Sequence, residues 1–106
     1  MPDVNYWKSE MDVTYREIEE VKDQLGDLEE RENIVWKYVE NSSRAAKKAL
    51  AENNIAEYEE IQSGGAAFSY EHSELQREIR ELKTQKQALW DRHNEAKAEW
   101  RRLRSQ

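Results

Sequence analysis

FSYEHSELQREIRELKTQKQALWDRHNEAKAEWRRL, residues 68–103, repeats its apolar side chains every seven residues. Phe68, Leu75, Leu82, Leu89, Ala96 and Leu103 occupy one heptad position (d), and His72, Ile79, Lys86, His93 and Trp100 the other (a). A stripe of that period on a 3.6-residue helix is a seam made to meet a second helix.

The second helix is found upstream. Val4, Met11, Ile18, Leu25, Glu32 and Val39 form an a row, and Trp7, Thr14, Val21, Leu28 and Val35 a d row. Gly26 weakens this helix by about 1 kcal/mol relative to alanine, and Glu32 interrupts the seam, but the period survives both. Asp3 after Pro2 suits an N-cap. Each arm covers 36 residues, Val4 to Val39 and Phe68 to Leu103. Antiparallel packing sets a against d, so facing residue numbers have a constant total. A total of 107 keeps the seam in step throughout, placing Val4 by Leu103, Trp7 by Trp100, Ile18 by Leu89, Leu25 by Leu82, Leu28 by Ile79 and Val39 by Phe68; a shift by one heptad also sets apolar against apolar but leaves an overhang.

The connector, residues 40–67, exceeds the roughly 2–8 residues of a tight helix–helix turn. Asn41, Ser42 and Ser43 offer a bend, AENN (residues 51–54) offers another, and Ser63, Gly64 and Gly65 offer a stop. This predicts an all-α fold in one domain, residues 1–106: an antiparallel helical hairpin (coiled coil) of two long helices, about 3–40 and 67–104. A shorter middle helix, about 43–62, is expected to pack at the closed end and cover the surface near Trp36.

Composition agrees with helices and limits the chemistry. Charged residues make up 38% of the 106 and hydrophobic ones 37%, with one proline and three glycines, which suits paired helices better than a thick globular core. Four tryptophans, five tyrosines and a regular apolar period argue against disorder. The absence of cysteine excludes disulfides and thiolate metal sites. No stretch approaches the roughly 18 apolar residues of a membrane span, and the amino terminus lacks the basic and apolar regions of a signal peptide. The expected location is the cytoplasm, or outside the cell after secretion without a signal peptide. The net charge of -6 is uneven: residues 1–40 hold 5 basic and 12 acidic groups, residues 66–106 hold 9 and 7.

No phosphate-binding, dinucleotide-binding, zinc-protease or calcium-loop motif is present. A catalytic site needs titratable groups converging in a water-poor cleft, and side chains radiating from long helices do not supply one. We therefore expect a non-enzyme with no catalytic residue, cofactor or metal. His72 and His93 are 21 residues apart, about 30 Å along one helix, too far to share an ion, and read as polar seam residues that hold register.

The flank of the seam carries more information. Tyr15, Trp36 and Trp90 fall at e, in rows shared with Lys8, Lys22, Lys83 and Lys97. The e rows face each other in an antiparallel pair, so this flank sets lysine near lysine beside large aromatics. Such a surface needs a cover. The candidate partner site is Tyr15, Trp90, Lys22, Lys83 and Lys97, and the alternative is an acidic face at Glu17, Glu20 and Glu30. Core widening is the competing account of the e aromatics.

Length and a tryptophan in the first helix resemble a spectrin repeat, whose middle helix is longer than the segment available here. The chain is also similar to the small Trp-x-Gly helical hairpins secreted by the type VII route, although Trp36 is followed by Lys37 and Tyr38. The expected function is a protein–protein interaction module acting as adaptor, assembly factor or scaffold on another protein, with self-association compatible. Two alternatives stand beside it: a small acidic inhibitor or DNA mimic encoded by a mobile element, and a secreted hairpin substrate or its targeting partner. Direct nucleic-acid binding is disfavoured by the acidic balance and the short run of basic residues at Arg101, Arg102 and Arg104.

Overall fold

The computed structural model describes residues 2–106. Two α-helices account for nearly all of them, α1 (Val4–Ala51, 48 residues) and α2 (Ile55–Arg104, 50 residues), with no strand among the described residues. The long helices pack against each other as the heptads require. Every a and d position of either helix, including those beyond the two arms, is buried or half-buried.

The middle helix does not exist as a separate element. Its residues are divided between the end of α1 and the start of α2, so the boundaries 3–40, 43–62 and 67–104 give way to two longer helices. Asn41, Ser42 and Ser43 lie within α1, and Ser63, Gly64 and Gly65 within α2. Followed onward, the heptad places Ser42, Ala46 and Ala49 on the seam of α1, and Tyr58, Ile61 and Gly65 on that of α2. Ala46 and Ala49 are buried. A β-carbon on Gly65 would lie 3.3 Å from Ser42 Cβ, so the glycine marks close backbone approach and not a helix end. Residues that stop an isolated helix are held in one here by the neighbour they permit, since tertiary packing supplies most helical stability.

The turn is Glu52, Asn53 and Asn54. Asn53 has φ 59°, the left-handed conformation that asparagine tolerates better than most residues. Its N–H donates to the Leu50 carbonyl (3.0 Å), and the Asn54 N–H donates to the Ala49 carbonyl (2.8 Å). Those two bonds form a Schellman closure of α1. Asn54 then caps α2: its Oδ1 accepts from the Glu57 N–H (3.2 Å), while its Nδ2 donates to Glu57 Oε2 (2.8 Å). At the start of α1, Asp3 Oδ1 accepts from the Tyr6 N–H (3.0 Å), the expected cap.

The chain forms two compact units. The first comprises the residues up to Gly26 together with Arg80–Gln106. Its core is Ile18, Val21, Leu25, Leu89 and Ala96, with Thr14 fully buried. The second is Asp27–Ile79, with a core of Val35, Ala46, Ala49, Leu75 and Ile79. Each unit verifies the register by itself. Thr14 bonds His93 in the first and Ser42 meets Gly65 in the second, and both pairs total 107.

Candidate functional site: an uncovered helix flank

In the first unit a polar layer is formed by buried Thr14 and half-buried His93. The Thr14 hydroxyl lies 2.7 Å from the Glu10 carbonyl oxygen and 3.0 Å from His93 Nδ1. An oxygen–oxygen contact that short must hold the hydroxyl proton, so Thr14 donates to Glu10 and accepts from His93. The second donation fixes the proton of His93 on Nδ1. Back-bonding to the preceding turn is how threonine satisfies its hydroxyl within a helix, and here the remaining lone pair orients an imidazole.

That imidazole is the platform for the flank. Tyr15 packs against it at a ring-centroid distance of 6.4 Å, and Trp90 meets it edge-on at 5.6 Å. The two aromatics predicted as partner anchors thus both meet His93. They differ in exposure: Tyr15 is 53% exposed, whereas Trp90 is half-buried. Lys22 and Lys83 are exposed and Lys97 half-buried. Lys22 reaches Glu19 on its own helix at 3.5 Å, a contact of small worth at that exposure.

The opposite flank, at the g positions, is differently made. Arg92 lies 3.4 Å from Glu10 and 3.8 Å from Glu17 across the first unit. In the second unit Arg31 grips Glu71 Oε1 through both Nε (2.9 Å) and Nη2 (2.6 Å), and Tyr38 stacks on Phe68 at 5.1 Å. The g flank therefore joins α1 to α2 by ion pairs. Among the described residues no ion pair joins the two helices through the e rows.

In the second unit Trp36 leans on His72 (4.8 Å between ring centroids), whose Nε2 lies 3.6 Å from Glu32. With no middle helix above it, Trp36 is left 45% exposed, contrary to the expected cover. Leu50 and Ile55 are also about half exposed on the same rows. Beside them the small-residue seam opens a groove of about 490 Å³, which the sequence reading missed. Its only sequence signal is the run of serine, alanine and glycine at positions where leucine is usual.

The residues of the alternative acidic face fall in both units. Glu17 is engaged by Arg92, Glu20 is exposed in the first unit, and Glu30 belongs to the second. Among the described residues there is no group of three or more metal-ligating side chains, and no helix is long and apolar enough to cross a membrane. Among the described residues the protein is all-α, two long helices packed against each other. The chain matches no known protein family, curated protein or solved structure.

Proposed function

We propose that this chain is a non-catalytic protein–protein interaction module, a single helical domain that works as an adaptor, assembly factor or scaffold through the e flank of its first unit. One observation carries the reading: among the described residues the helices exchange ion pairs along their g flank and none along their e flank, where aromatics and lysines stand instead. Lysines that make no ion pair to the facing helix, set beside the exposed Tyr15 and half-buried Trp90 rings, are suited to a partner's surface. Aromatic side chains bring much contact area at low entropic cost and supply interface hot spots, while lysines raise the encounter rate with an acidic or mixed-charge surface. No cofactor or metal is needed for this work.

The test is the double substitution Tyr15→Ala, Trp90→Ala. Both rings lie against His93 and outside the a and d rows, so helicity by circular dichroism should persist. Partner binding, scored by affinity capture and then by titration, should weaken by on the order of 2 kcal/mol or more. A variant that loses its helices would place both rings in the core and end the assignment. A folded variant that binds unchanged would move the working surface to Glu17, Glu20 and Glu30, to be tested by charge reversal.

A further inference from the structure

In each unit the e and b rows form the side that a third or fourth helix would contact, and the two units differ in the charge of these rows. In the first unit these rows hold seven cations (Lys8, Lys22, Arg80, Lys83, Lys97, Arg101, Arg104) against two carboxylates, Asp12 and Glu19. On α2 of that unit they hold no carboxylate at all. In the second unit the same rows hold three carboxylates, Glu29, Glu40 and Glu59, against one cation, Lys47. The units as wholes differ in the same sense: 11 basic and 11 acidic groups in the first, 6 and 12 in the second.

Shape is divided as charge is. The first unit presents rings, with Tyr15 projecting beside Trp90. The second presents the groove, lined by Ser43, Ala46, Leu50, Tyr58, Ile61 and Ala66 among others. About 490 Å³ is within the range of pockets that enclose ligand-sized groups (about 300–1,000 Å³). Leu50 of the lining shares the e rows of this unit with Trp36 and Ile55, each between 45% and 49% exposed.

We propose that the occupant of this flank is a second copy of the chain, the aromatic–lysine rows of one first unit seated over the groove and carboxylates of the other copy's second unit. This rests on the reading of the e flank given above and names its partner. Each copy carries both halves of the contact, so two copies can satisfy each other reciprocally, the relation that closes a two-fold assembly. The cations of Lys83 and Lys97 then meet Glu40 and Glu59, and the rings enter a recess left by alanine, serine and glycine.

Light scattering on the full chain over a wide concentration range is the first measurement, and the expected mass is twice 12.7 kDa. A mass of 12.7 kDa at every concentration overturns the inference, while the Tyr15 and Trp90 capture experiment still judges the underlying reading. Charge reversal is the second. Lys83→Glu, Lys97→Glu and, separately, Glu40→Lys, Glu59→Lys should each weaken self-association at least about tenfold, and an equimolar mixture of the two proteins should recover it. Failure of the mixture to associate overturns the pairing. Ser69→Arg, on the groove margin and off the seam, tests the recess independently of those charges: it should give a monomer, and a dimer of unchanged strength would remove the groove from the interface.

Discussion

Gly64 and Gly65 are adjacent in α2, and exchanging each for alanine measures how closely the helices approach. In a helix interior the exchange is worth about 1 kcal/mol from backbone entropy and propensity. A β-carbon at Gly64 meets nothing within 4 Å, so Gly64→Ala should collect that full gain. At Gly65 the new carbon faces Ser42 Cβ at 3.3 Å and Ser42 Oγ at 3.6 Å. Both seam backbones must then yield by a few tenths of an ångström, and overpacking of this kind costs about 1–3 kcal/mol. The net effect of Gly65→Ala should lie between neutral and about 2 kcal/mol destabilising. The two neighbours should therefore differ by at least about 1 kcal/mol, or roughly 4–8 °C in Tm for a chain near this size. Urea denaturation followed at 222 nm suffices, with Gly64→Ala as the internal control for helix propensity. Adding Ser42→Gly to Gly65→Ala should return part of the loss, giving a favourable coupling in a double-mutant cycle. Equal stabilisation by both alanine exchanges would refute the close approach and with it the account of why no middle helix forms.

Gly26, whose β-carbon would also enter open space, should give about 1 kcal/mol of stability as alanine by the same denaturation assay. Thr14→Val removes the acceptor for the His93 Nδ1–H and should cost about 1–3 kcal/mol. In the unsubstituted protein, imidazole nitrogen shifts should report a proton on Nδ1; neutral His93 carrying it only on Nε2 would contradict the assigned donation. Asn54→Ala deletes the cap of α2 and should cost about 0.5–2 kcal/mol, whereas Asn53→Gly should be tolerated without loss because φ 59° suits glycine. Ile18→Ala, fully buried in the first unit, should cost about 2–5 kcal/mol; a loss below 1 kcal/mol would mean the seam there is not closed.

The heptads of the two arms pointed to a helical chain with antiparallel helices and favoured a total of 107 for facing residues over a one-heptad shift, which leaves an overhang; the contacts Thr14–His93 and Ser42–Gly65 decide it. That total already contains the position of the turn, since its midpoint falls between Asn53 and Asn54, where the chain does reverse. What hid the turn was residues 41–43 and 63–65, whose serines and glycines have the local character of helix ends. Hydrophobic periodicity shows a seam only where its members are apolar, and Ser42 and Gly65 are chosen for small size against each other. That is a property of a pair of residues 23 positions apart, invisible from either stretch taken singly. The candidate site divides in the same way. Rows of lysine and aromatic residues at e could be read from the sequence, because they follow from spacing on one helix. Only the packed structure decided that the g flank holds the ion pairs between helices, that Tyr15 and Trp90 both meet His93, and that a groove opens where the seam is small. Each of those depends on which side chains α1 and α2 bring within reach of one another, and distance across a helix pair is not written along either chain.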